Sequence, residues 1–230
     1  MSAPEAEVRR AWHRVVGTAR EADLEHLLAL HREAHRHYHT AVHVMWVLRH
    51  IATITATCMV DDVDVVEAAA LFHDAIHNPR VSTNEADSAA LAGDVLTAAG
   101  WTAQRCAAVQ QLILATAHQP STSHGTAARS GTAPATSSFA ERVLVDADLA
   151  ILGSDSASYR AYADAVRAEY AHVAEPEWAV GRCAFLRGML ARPVIFSTPP
   201  MHDREARARA NLLGELTGLS PSIDGTAAHD

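Results

Sequence analysis

Apolar positions recur at intervals of three and four along nearly the whole chain. Leu24, Leu27 and Leu28 form one such stripe, and Val44, Val47, Leu48, Ile51 and Ile54 form another. This spacing lines one face of a 3.6-residue helix. The alternation of apolar and polar residues that marks a half-buried strand is hard to find. The pattern predicts an all-α fold, a single bundle of about ten helices, over residues 5–16, 21–34, 39–57, 62–77, 84–99, 103–118, 139–152, 156–173, 176–191 and 203–217. Local stop signals agree with this division. Asn78-Pro79 closes the fourth helix, Gly100 the fifth and Gly153 the seventh, while Ser154 or Asp155 can cap the eighth.

The fourth helix differs from the rest. "VDVVEAAALFHDAI" is apolar around most of its circumference, so it is expected to be central and buried. A His-Asp pair at the end of such a helix is costly unless something satisfies it. On the eighth helix, Tyr159, Tyr162, Val166 and Tyr170 share a stripe that reads as core packing. Residues 119–138, rich in Ser, Thr, Ala and Gly, read as a flexible loop, either a tolerated insertion or a lid. Residues 1–217 are expected to form one domain, followed by a disordered tail over 218–230.

Composition narrows the class. The chain has 230 residues, enough for one sizeable domain, with 49% hydrophobic and 20% charged residues, as in ordinary globular proteins. No apolar run approaches a membrane span and no apolar leader opens the chain, so a cytoplasmic protein that does not engage membranes is expected. A net charge of −8 argues against a surface for nucleic-acid polymers. There is no lysine, which excludes Schiff-base, P-loop and kinase-type lysine chemistry. Cys58, Cys106 and Cys183 are far apart, form no CxxC pair and read as small buried residues.

Four polar positions stand in apolar helical surroundings: His43, the pair His73-Asp74, and Asp146 in "VLVDADLAILG". Two imidazoles and two carboxylates from three helices can converge on one divalent cation. Their nitrogen and oxygen donors suit Zn, Mn, Fe, Co or Ni. The lack of thiolate points to a catalytic site with open positions, not a closed structural one. His39 and His43, four apart, are expected on one helix face, one on the metal and the other facing a substrate. His73 and His77 repeat this spacing. Asp148, two after Asp146, is expected on nearly the opposite face, capping or pairing elsewhere, and His35 and His37 are expected to face solvent or cap the helix start.

The ordered set His43, His73-Asp74, Asp146 resembles the metal signature of the HD superfamily of metal-dependent phosphohydrolases, an all-helical fold. The likeness is closest to a branch of predicted HD phosphohydrolases. It is carried by "RHYHTAVHV", "FHDAIHNPRVSTNEADSA", "ATAH", "DADLAILG", "YRAYADAVRAEY" and "ARANLLGEL", over roughly residues 10 to 217. The cyclic-nucleotide phosphodiesterases are similar around "YHTAVH" and "HDAIH". By that resemblance His39 would be the general acid and His43 a ligand, with His77 beside the metal or on a second one. Thr40 stands where Asn is usual, and Asn78-Pro79 where Pro-Gly is. The likeness also implies that Glu85 orients water or holds His77, and that His118 is a ligand of a second metal; the bland readings are a first-turn Glu and a His at a helix C-terminus.

The expected activity is hydrolysis of a phosphate ester or anhydride of a small molecule, such as a nucleotide, by metal-activated water. One or two divalent transition-metal ions would be held by His43, His73, Asp74 and Asp146. Asp74 or Asp146 would accept the water's proton, and Arg36 would hold a phosphate oxygen, the other reading of Arg36 being a solvated side chain. Two alternatives of other classes are a di-iron oxygenase of HD type and a catalytically silent nucleotide-binding module. The oligomeric state stays open, a homodimer among the choices.

Overall fold

The computed structural model describes residues 2–117 and 138–219. Among them are ten α-helices, three short 3-10 segments and no strand. The expectations for His118, for the loop at 119–137 and for the tail from 220 onward fall outside the described residues.

The chain packs as two compact units, one from residues 2–117 and 138–148 and the other beginning at Leu149. The first unit holds seven helices: α1 (Ala3–Val15), α2 (Glu21–Leu30), α3 (Ala41–Thr55), α4 (Val63–Phe72), α5 (Asn84–Ala98), α6 (Ala103–Ala115) and α7 (Phe139–Asp148). Their starts follow local capping chemistry. Ser2 and Glu5 make a capping box on α1. Thr40, Asp62 and Thr102 accept backbone N–H groups at the heads of α3, α4 and α6. Helix α4 is the hub. Every residue from Val65 to Phe72 is buried, and α1, α3, α5, α6 and α7 all pack against it. Trp12 of α1 and Phe72 of α4 lie with ring centroids 5.6 Å apart, both fully buried.

Several helix ends differ from the periodicity, and three in the N-terminal half show the physical reason. Helix α4 stops at Phe72, not 77, because side chains capture the backbone groups that would have extended it, as described below. Helix α2 stops at Leu30, not 34, where i→i−3 bonds from Arg32 and Glu33 tighten the chain into turns. Helix α3 starts at Ala41, not 39, because the Thr40 hydroxyl accepts from the Val42 amide and ends the approach to the helix.

The second unit contains α8 (Ser156–Glu169), α9 (Glu175–Ala191) and α10 (Glu205–Leu219), with 3-10 segments at Leu149–Gly153 and Pro199–Arg204. Helix α10 reaches Leu219 and so takes in residues read as tail. It packs on α9 and on the Leu149–Gly153 turn. Gly153 is required there: a Cβ would stand 2.6 Å from Arg204 Cβ and 3.0 Å from the Arg204 carbonyl oxygen. Asp155 caps α8 through the amides of Ala157 and Ser158.

The tyrosine stripe of α8 carries more than packing. Tyr159, with its hydroxyl, donates to Glu215, which also accepts from Arg182 Nε and Nη2 at 2.7 and 3.0 Å. Arg182 reaches the Tyr162 hydroxyl through Nη1 and lies over the Phe185 ring. The "ARANLLGEL" run supplies the other fasteners. Arg209 donates to the carbonyls of Leu190 and Arg192, and Asn211 to those of Leu152 and Ser154.

Candidate metal centre

The C-terminal end of α4 delivers His73 and Asp74, α3 delivers His43, and α7 delivers Asp148. His43 Nε2 lies 2.9 Å from His73 Nε2. Asp74 Oδ2 is 3.2 Å from the first of these nitrogens and 3.0 Å from the second. Asp148 Oδ1 is 3.1 Å from His43 Nε2 and 3.6 Å from His73 Nε2. His43 and His73 are buried, while Asp74 and Asp148 are only partly so.

The aspartate of α7 differs from the sequence expectation. Asp148 is aimed at the two histidines, where helical spacing had turned it away. The reason is packing and chain path. Helix α7 packs against α3, α4 and α6 and buries Val143, Leu144, Asp146 and Ala147, and Asp148, four after Leu144, stands at the edge of that buried face. It also ends at Asp148, where the backbone enters the 3-10 turn Leu149–Gly153 and ideal α-helical angles cease to apply. Asp146 is fully buried two residues before.

The ligating atoms are presented with their protonation prepared. His73 Nδ1 lies 2.9 Å from the Ala70 carbonyl, to which it donates; this places the lone pair of the neutral ring on Nε2, facing the cluster. Two Nε2 atoms 2.9 Å apart can share one proton but cannot both carry one toward each other. Burial works against a charged His43, but Asp148 and then Asp74 outweigh it and raise its pKa. Burial likewise opposes a charged His73, and the Asp74 charge, joined by Asp148, raises it well above the usual value. Burial would raise the Asp74 carboxyl, yet His73, His39 and His43 hold it well below the usual carboxylate range. The two carboxylates thus call for positive charge between the imidazoles.

A divalent cation satisfies that demand. Bonds of about 2.1 Å from imidazole nitrogen and carboxylate oxygen set neighbouring ligand atoms roughly 3 Å apart at right angles. The separations here run from 2.9 to 3.6 Å. His43, His73 and Asp74 therefore form a group able to hold a metal ion.

The neighbouring histidines lie outside the helices that the spacing assigned them to. His39 precedes α3 and His77 follows α4, so the four-residue spacing does not set two helix faces. They meet nonetheless: their ring centroids are 4.1 Å apart, and the His39 ring is 5.7 Å from that of His43. His35 is not merely a solvent-facing residue, since its Nε2 donates to the His77 carbonyl at 2.7 Å. His37 is exposed. Glu85 sits in the first turn of α5, half-buried.

Arg36 has a different task from the expected grip on phosphate. Its side chain is 0% exposed, and its donors are engaged. Nη1 donates to the carbonyls of His39 at 3.1 Å and Asp74 at 2.6 Å, Nη2 to that of Ala75 at 2.7 Å, and Nε to Glu33 at 3.1 Å. The periodicity missed this because a burst of polar residues between two helices reads as surface.

The turn after His73 is held by side chains along its length. The carbonyls of Asp74 and Ala75 accept from Arg36, that of Ile76 from Ser88, that of His77 from His35, and that of Asn78 from Asn84. Ser88 Oγ accepts the Ile76 amide, and Asn84 Oδ1 the Asn78 amide. Asn84 and Ser88 are four apart on α5, so the "NEADSA" run signals a latch; the polar residues flanking Glu85 could have revealed it.

Behind this turn, His31 is buried, and its Nε2 has no hydrogen-bond partner among the described residues. Burial, helped by the Arg36 charge, pushes its pKa down to about 3. The unfolded chain therefore takes up a proton here first as pH falls below the ordinary value near 6.5. Stability from this group is complete above that value and declines as pH drops toward 3. Between pH 7 and pH 5 the wild type is expected to lose about 1 to 2 kcal/mol more than His31→Gln, read from urea unfolding at both values. Parallel losses in the two proteins would contradict it.

No family model matches the chain, and no curated protein or solved structure is similar to it.

Proposed function

We propose that the chain is a metal-dependent phosphohydrolase acting on a phosphate ester or anhydride of a small molecule, such as a nucleotide. The observation that carries this reading is the convergence of His43 Nε2, His73 Nε2 and the carboxylates of Asp74 and Asp148 at the spacing of cation ligands. The sequential order of histidine, His-Asp and aspartate, which resembles that of HD phosphohydrolases, adds support. The donor set of imidazole and carboxylate, without thiolate, favours Mn, Fe, Co, Ni or Zn.

A divalent cation held by these four residues would supply Lewis acidity, polarising a phosphoryl oxygen and making hydroxide available near neutral pH. The protein's own groups do the remainder. His73, fixed by the Ala70 carbonyl, keeps its lone pair on the ligating nitrogen. Asp74 and Asp148, partly open to solvent, are placed to accept a proton from an attacking water. His39 stands beside the centre, its ring edge-on to Tyr38 at 5.0 Å and close to His77, where it can donate a proton to a leaving oxygen.

The test is purification without chelator, metal analysis, and a phosphate-release assay across nucleotides and sugar phosphates. Bound Mn, Fe, Co, Ni or Zn with turnover is the expected result. Metal-free protein without turnover under added metals sinks the proposal, and an absorption band of coupled irons with oxygen consumption would replace it with oxidative chemistry. His39→Ala is expected to retain metal and to lose roughly 10² to 10⁴ in rate on an alkyl phosphate. With p-nitrophenolate leaving, which needs no proton, the loss is expected to shrink to a few-fold. Equal losses on both substrates would remove His39 from the acid role.

A further inference from the structure

A buried guanidinium is costly unless its hydrogen bonds are made, and Arg36 makes them mostly to backbone. The carboxylate it meets among the described residues, Glu33, is 40% exposed. The three carbonyls it holds belong to two segments far apart in sequence: His39, just ahead of α3, and Asp74 with Ala75, just past α4. The second pair lies beyond the C-terminal end of α4, where unpaired carbonyls and the helix dipole both favour a cation. One planar group therefore ties the residue placed as general acid to a residue placed as ligand.

We infer that Arg36 is a positioning residue that sets His39 and Asp74 in register with one another. The inference rests on the proposed metal centre for its functional consequence, but not for the clamp itself. Both segments are turns outside the helices, the second keeping one i→i−3 bond from the Ala75 amide to the Phe72 carbonyl, so their placement relative to one another depends on ties between them. An ammonium cannot replace the fork. Lysine offers three donors from one point, whereas here Nη1 bridges the carbonyls of His39 and Asp74 while Nη2, about 2.3 Å away, takes that of Ala75, a spread that one ammonium does not match.

The experiment compares wild type, Arg36→Lys and, as a control on a surface ion pair, Arg32→Lys. Circular dichroism and melting first establish which variants fold; should Arg36→Lys fail, Arg36→Gln, which buries no charge, takes its place. Three readouts follow. Amide exchange in the metal-free proteins is expected to rise together over 37–42 and 73–78 in the Arg36 variant and to stay unchanged in Arg32→Lys. Cobalt(II) affinity is expected to fall about 10- to 100-fold, as for other groups that orient ligands, with a changed visible spectrum. Turnover is expected to fall with KM nearly constant. Unchanged exchange in both segments overturns the inference, whatever the metal does. Raised exchange with unchanged cobalt affinity and spectrum overturns its functional half. A wild type that takes up no cobalt overturns the metal reading alone, and the exchange data still decide the clamp.

Discussion

Asp74→Asn is expected to yield a folded protein that no longer retains a divalent cation and has lost phosphate release. The carboxylate touches both imidazoles, at 3.2 Å from His43 Nε2 and 3.0 Å from His73 Nε2. An amide fills the same volume but lacks the charge, and its NH₂ group would present donors to a cation. Groups that only orient ligands change affinity about 10- to 100-fold; loss of a ligand is expected to exceed that. Two further variants locate the fourth ligand. Asp148→Asn should match Asp74→Asn in metal content. Asp146→Asn should show a smaller change, because Asp148 supplies the ion contacts that close the site at 3.1 Å from His43. Full metal stoichiometry in Asp74→Asn would dismantle the centre as described, and the opposite order for the α7 aspartates would return the fourth position to Asp146.

The largest loss of stability is expected from Glu215→Ala in the second unit. Glu215 accepts two bonds from Arg182 and one from Tyr159. Arg182 is only 6% exposed. Removing the carboxylate strands a buried guanidinium, which typically costs 3 to 5 kcal/mol, of the order of 10 °C in melting temperature for about 200 residues. The paired change Arg182→Met with Glu215→Leu should recover most of it, since neither charge then remains to be solvated. Exchange at the amides of α9 and α10 reports the effect locally. A double variant as unstable as the single one would mean that the shape of these side chains, and not the unpaired charge, sets the loss.

The helices were legible because burial imposes its period directly on the chain. Val44, Val47, Leu48, Ile51 and Ile54 are all buried on α3, and α4 is central for the reason its apolar circumference implies. Helix ends were less legible where side chains compete with the backbone ladder. Nothing in "FHDAIHNP" announces that Arg36 and His35 will claim its carbonyls, since those residues precede it by 38 to 42 positions; Ser88 and Asn84 are nearer, but belong to the next helix. The same limit applies to Asp148 and Arg36. Position on a helical wheel says which way a side chain leaves its own helix. It does not say how many neighbours surround that helix, nor that an arginine between helices will turn inward.

The latch between α5 and the turn after His73 also dictates where the chain can change in length. Asn84 and Ser88 grip Asn78 and Ile76 from one side of α5. Inserting or deleting a single residue between them would rotate one by about 100° relative to the other and release half of the grip. The connection at 79–82, exposed from 80 to 82, sits outside that pair, so the gene can lengthen or shorten there more readily than anywhere between 84 and 88.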